Sequence, residues 1–172
     1  MLNMKLSALL SQKKSTIGQR WLHLLFESYP PETSVFLKKE KNRFDNPVGS
    51  SLTQGIQSLL EALLQGMDPD RLRSSLDEVI RIRAIQDIPP SQAMAFIFLL
   101  KKVIREELKV ELRQGHLAEE LLELESRIDG LALLGFDVYM KRRETLHEIR
   151  VNEVKNRVSG LLRRTGMSSN NL

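Results

Sequence analysis

Two adjacent prolines and the apolar run behind them restrict this chain more than any other stretch. Between Arg81 and Lys101, the pair Pro89-Pro90 separates a segment of helical periodicity from Ala93–Leu100, in which every residue is apolar. Proline fixes its own φ and pushes the residue before it out of the helical region, so the chain must turn a corner here. An apolar run of this kind belongs in a helix buried on nearly every side. The sequence therefore predicts a central core helix entered through a rigid corner.

The rest of the chain shows period-3.6 patterning and no strand alternation, which predicts an all-α fold. Leu2, Leu6, Leu9 and Leu10 give a short first helix. Ser15-Thr16 opens a second, with Ile17, Trp21, Leu24 and Leu25 inside, ending before Pro30-Pro31. Thr33 or Ser34 would cap a third through Val35, Phe36 and Leu37. Asp45 or Asn46 ahead of Pro47 caps a fourth, whose stripe is Leu52, Ile56, Leu59, Leu60 and Leu63. Asp68-Pro69 repeats that start, and Leu72, Leu76, Val79, Ile80 and either Ile82 or Ile85 form the inner face of a fifth. The sixth, after the corner, runs through Phe96, Leu99, Leu100, Val103 and Ile104 towards Gly115. One long helix from about Leu117 to Arg164 closes the chain. Its first seam is Leu121, Leu124, Ile128, Leu131, Leu134 and Val138; its second is Leu146, Ile149, Val154, Val158, Leu161 and Leu162. Gly130 and Gly135 mark close packing or a kink. The expected organisation is a helical domain over 1–112, a linking and dimerisation helix over 113–165, and a flexible tail over 166–172.

The chain has 172 residues, long enough for a sizeable core, and no cysteine. Disulfides, thiolate catalysis and zinc–thiolate or iron–sulfur sites are thereby excluded. A net charge of +4 is spread through interleaved acidic and basic residues, and with one Trp and two Tyr it does not make a nucleic-acid footprint. No stretch approaches the ~20 apolar residues of a membrane span, so a soluble, cytoplasmic protein is expected.

Catalytic constellations are missing. His23, His116 and His147 lie on separate helices without ligand spacing, which assigns no metal or cofactor. There is no nucleophile elbow and no Gly-rich phosphate loop; Gly49-Ser50-Ser51 at a helix start is too general to assign. The polar residues around the corner, Arg81, Arg83, Asp87 and Gln92, have two readings beside Phe96. They either cap two helices, with an Asp–Arg pair stiffening the corner, or line a pocket for a ligand or partner. The last helix is basic and amphipathic, with Arg142, Arg143 and Arg150 among its cations. Its stripe Leu146, Ile149, Val154, Val158 and Leu161 suits self-association or a protein partner better than a membrane, because bulky aromatics stop at Tyr139.

Several short stretches, in order, resemble one family. Arg20-Trp21, Ser28-Tyr29-Pro30, Asn46-Pro47-Val48-Gly49, Arg81-Ile82-Arg83-Ala84-Ile85-Gln86-Asp87 and Pro90-Ser91-Gln92-Ala93 are similar to the N-terminal domain of RsbT co-antagonists of the RsbRD type. The likeness spans roughly residues 10–110. It implies a globin-like helical sensor of the stressosome, joined in the family by a linking helix to a STAS domain that RsbT phosphorylates. A chain without a STAS module is the expectation here, and on that expectation the resemblance supports a sensory or interaction module and not direct antagonism of RsbT. Stand-alone proteins of this kind in anaerobic, sulfur-metabolising bacteria imply a redox or respiratory setting. The expectation is a non-catalytic sensory, regulatory or scaffold module, acting as a homodimer. The alternatives are a binding protein for a small apolar ligand or haem, and an adaptor docking on a redox or respiratory enzyme complex. Globin-like shape does not imply haem, since no histidine lies in or just before the central helix.

Overall fold

The computed structural model describes residues 5–39, 44–65, 69–86, 88–113 and 116–164. Among these residues the secondary structure is helical throughout, in the order α1 (Leu6–Glu27), α2 (Pro31–Lys39), α3 (Pro47–Leu64), α4 (Pro69–Ile85), α5 (Pro90–Glu107), α6 (Lys109–Leu112) and α7 (Ala118–Arg164). The core is helix on helix: α5 lies between α1 and α7, α3 pairs with both α1 and α4, and α4 also packs on α7. Trp21, Leu25, Leu59, Leu76, Phe96 and Ile128 are among its fully buried side chains.

The two helices expected over residues 2–29 are one continuous α1. Ser15-Thr16 starts no new helix, because neither Gly nor Pro interrupts the chain ahead of it and both neighbouring lysines are tied to other helices. Lys13 Nζ donates to the Glu107 carbonyl at 2.6 Å and to Glu111 at 2.8 Å, while Lys14 Nζ reaches Glu61 at 2.8 Å. Helix α2 begins earlier than the hydroxyl caps suggest, at Pro31, where a missing N–H costs nothing. Of its expected apolar face only Leu37 is buried, and Val35 and Phe36 are exposed.

The Asn46 cap forms as expected. Its side-chain oxygen accepts from Gly49 N–H at 2.8 Å, and its amide donates to the Leu37 carbonyl at 3.3 Å, so one residue caps α3 and ties it to α2. A Cβ on Gly49 would come within 2.2 Å of that amide, which leaves glycine as the residue that fits.

Helix α4 buries Leu72, Leu76, Val79 and Ile80; Ile82 is half-buried and Ile85 exposed. Central α5 buries Ala93, Met94, Phe96, Ile97, Leu100, Val103 and Ile104, but Ala95 and Phe98 face outward. The apolar run is therefore buried on most of its circumference, not all of it. Salt bridges line its exposed side and second half, with Lys101 on Asp129 at 2.6 Å, Arg105 on Glu125 at 2.5 Å, and Arg20 on Glu106 and Glu107. Helix α7 is buried against this core at Leu124, Ile128, Leu131, Ala132, Val138 and Tyr139. No described helix is long and apolar enough to cross a membrane. Leu2, residues 40–43, Gly66, Asp68, Asp87, Gly115 and the tail lie outside the described residues.

Candidate functional site

The corner between α4 and α5 is built around Arg83. Spacing explains its burial: Leu72, Leu76, Val79 and Ile80 define the inner face of α4, and residue 83 is the next position on it. The side chain is only 1% exposed. Its guanidinium lies 5.2 Å from the Tyr29 ring centroid and 5.7 Å from that of Phe96, between two π faces that favour a cation. Nε donates to the Ala93 carbonyl and Nη2 to the Gln92 carbonyl, both at 2.9 Å, and Nη1 and Nη2 reach Ser28 Oγ at 3.4 Å. No carboxylate pairs with it among the described residues. Burial pushes its pKa below the ordinary arginine value, and Tyr29 and Tyr139 pull the other way.

Arg83 therefore joins three chain segments: the end of α1, the last turn of α4 and the first turn of α5. Trp21 closes the floor. Its indole N–H donates to the Phe96 carbonyl at 2.7 Å, and its ring stacks on Phe96 with centroids 6.0 Å apart. The Tyr29 hydroxyl is buried beside the guanidinium with no hydrogen-bond partner among the described residues.

Helix α7 locks the outside of the same corner. Tyr139 donates its hydroxyl to the Ile88 carbonyl at 2.6 Å, and Arg143 Nη1 donates to the Ala84 carbonyl at 3.2 Å. Arg142 grips Asp77 with two parallel bonds, Nε to Oδ1 at 2.9 Å and Nη2 to Oδ2. One of the carbonyls that α4 leaves open at its C-terminus, that of Ala84, thus finds a partner on α7.

Of the residues expected at this site, the structure brings together Arg83 and Phe96, and Gln92 through its main-chain oxygen only. The Gln92 side chain and Arg81 are exposed, and Asp87 lies outside the described residues. The Arg83 contacts that the structure shows are carbonyls, a hydroxyl and two rings, where an Asp–Arg pair was expected. Sequence reasoning missed Ser28, Trp21 and Tyr29 as corner residues, although all three stand in the stretches that carry the resemblance. It also missed Tyr139, which the spacing 128, 131, 135, 138 would have placed at the edge of the inner face. A buried guanidinium is neither base nor nucleophile, so this site is suited to holding helices and not to acid–base chemistry.

The other sequence candidates are surface features. His23 is exposed and sits 3.0 Å from Glu27; His116 and His147 are also exposed. Among the described residues no group of three or more potential ligands is placed to hold a metal. The Gly49 amide is already taken by Asn46. In the distal part of α7, Leu146 is half-buried, and Ile149, Val154, Val158 and Leu161 are exposed. Surface depressions include the following two. One of about 460 Å³ lies between α4 and α7 beside Arg73, Asp77, Lys141 and Arg142. Another of about 660 Å³ lies among α1, α2 and α3 over Leu22, Phe26 and Leu37.

No curated protein and no solved structure matches the chain. One family model does, the RsbT co-antagonist protein RsbRD N-terminal domain, over residues 15–154. The matched span takes in all of the corner and most of α7, and it extends past residue 110, where the short stretches of resemblance end. The Arg83 joint and the helix that locks it thus lie inside one family domain, and the chain belongs to the RsbRD N-terminal domain family of RsbT co-antagonist proteins.

Proposed function

We propose that this protein is a cytoplasmic, globin-like sensory or regulatory module of the stressosome type, working by protein–protein contact and not by catalysis. The observation that carries this reading is the two-part character of α7. Its first half is buried and bonded to the corner through Tyr139, Arg142 and Arg143, while its distal half is exposed at Ile149, Val154, Val158 and Leu161. A change in how the corner packs would shift the base of a helix whose far end meets a partner. In this reading residues 1–112 sense, residues 113–165 link and dimerise, and the partner is a second copy of the chain. An adaptor role towards a redox or respiratory enzyme complex would use the same basic helix.

Light scattering on the full chain tests the homodimer: a mass near twice 19.8 kDa is expected, falling to the monomer value in Val154→Glu/Val158→Glu. A monomer for the unaltered chain at tens of micromolar sinks self-association. The groove over Leu22, Phe26 and Leu37 favours a second reading, a small apolar ligand. Haem is not the expected occupant, because all three histidines are exposed and none borders the groove. Added haemin should leave the Soret band of free haemin unshifted; a sharp shifted band would reinstate haem.

A further inference from the structure

The depression between α4 and α7 is built from one helical repeat used twice. On α4, positions 70, 73, 74 and 77 stand at the i, i+3, i+4, i+7 spacing that stacks side chains along one side of a helix. On α7, positions 138, 141, 142 and 145 repeat it. Both sets line one cleft of about 460 Å³, beside the point where α7 leaves the core after Tyr139. Val138, the one apolar member, is buried; the others are polar or charged.

Three cations and two acids line the cleft, and the acids are already engaged. Asp77 receives both bonds of the Arg142 fork, that from Nε at 2.9 Å. Asp70 lies in the first turn of α4, where the helix N–H groups favour a negative charge. Arg73 on α4 and Lys141 on α7 differ, because neither side chain has a hydrogen bond or an ion pair among the described residues. Lys14, Lys101 and Arg105, which stand at other helix seams, each have an acidic partner. Unbalanced cations on facing helices repel, and an anion seated between them reverses the sign of that interaction. The Ser74 hydroxyl is a further donor without a partner among the described residues, whereas Thr145 Oγ1 donates to the Lys141 carbonyl at 3.0 Å.

A phosphate group suits these donors. Its oxygens accept from a guanidinium, an ammonium and a hydroxyl together, and its charge opposes both cations. The cleft is far larger than a lone phosphate and falls within the range of about 300–1,000 Å³ typical of small-molecule sites. A long polyanion needs a continuous basic track, which Asp70 and Asp77 interrupt here. We propose that the α4–α7 cleft binds a small phosphate-bearing molecule, its phosphate held between Arg73 and Lys141, so that the ligand ties the base of α7 to the first half of α4. The site depends neither on the homodimer nor on the apolar groove.

Amide NMR of the full chain, titrated with inorganic phosphate at an ionic strength held constant with sodium chloride, tests the site. Saturating shifts clustered over 70–77 and 138–145 are expected. Shifts that chloride alone reproduces, or that do not saturate, overturn it. Ribose 5-phosphate adds a body to the same group and should bind at least about threefold tighter. Binding no tighter than that of inorganic phosphate overturns the small-molecule class, as does tighter binding of a hexaglutamate peptide. Arg73→Gln and Lys141→Gln exchange exposed side chains for a good helix former, which keeps the fold. Each should weaken ribose 5-phosphate binding about three- to fivefold. Lys102→Gln removes an exposed cation from α5, outside the cleft, and should leave that binding unchanged. Equal losses in all three variants reduce the effect to net charge and overturn the proposal, as does no loss in Arg73→Gln and Lys141→Gln.

Discussion

At the scale of single residues, the structure turns on a buried cation that satisfies itself with neutral partners. Removing charged groups from water is costly, and Arg83 recovers that cost from two carbonyls, a hydroxyl and two aromatic faces. Its planar fork reaches Gln92 and Ala93 together, which a lysine ammonium cannot do. Arg83→Lys is therefore expected to destabilise the fold by about 1–3 kcal/mol. Arg83→Met, which fills the same space without a charge, should cost less. Urea unfolding midpoints at one fixed protein concentration would show this order; a lysine variant as stable as the parent would contradict it. Glu125 provides a second residue-scale expectation. The Arg105 guanidinium holds its carboxyl below the ordinary value of 4.5. With the folded pKa depressed, its stabilisation is complete above that value and disappears as the pH falls through the lower, folded one. Glu125→Gln should thus flatten the acid limb of a stability–pH profile while leaving its slope near neutrality unchanged. Arg83 was legible as a corner residue because α4 and the prolines bracket it. Its partners were not, since carbonyls and rings from three segments converge only through the fold.

Between elements, the tightness of helix contacts decides which glycines matter. A Cβ on Gly55 would meet Val79 Cγ2 at 2.7 Å, and a β-branched side chain in a buried α3–α4 contact has little room to yield. Nothing stands within 4 Å of a Cβ built on Gly130. Alanine at both positions gains helix propensity of roughly 1 kcal/mol. At Gly130 that gain should appear in full as a raised midpoint. At Gly55 overpacking of about 1–3 kcal/mol should exceed it and lower the midpoint. Gly135 is intermediate, at 3.0 Å from Ile97 Cδ1 and 3.1 Å from Met94 Sδ, atoms at the ends of adaptable side chains. Close packing of α7 on α5 was one of the two meanings the sequence allowed for these glycines. It holds for Gly135 and not for Gly130. The single α1, where two helices were expected, follows the same logic, because a Ser-Thr pair caps a helix only if the chain turns there.

For the molecule as a whole, α7 divides into a half stabilised by the core and a half that is not. An exposed helix of about twenty residues is marginal in water without a partner. Amides beyond residue 146 are therefore expected to exchange with solvent at least about tenfold faster than those over 124–142 in dilute protein, and to gain protection as concentration rises. Equal protection along the helix at nanomolar concentration would refute this division. The coupling of sensor to output proposed here needs that difference, because a helix end ordered only by contact can report on its base.

The chain's periodicities settled the all-α class, the corner at Pro89-Pro90, the Asn46 cap and the long last helix. These depend on dihedral limits and on side chains a few residues apart, both of which are written locally. Tertiary structure alone decided what encloses Arg83, why Phe98 is left outside the core, and which side of α7 is free. Those outcomes depend on segments remote in sequence arriving at one place. The rotation of a 47-residue helix against its neighbours is among them, since that rotation decides which of its faces the core covers.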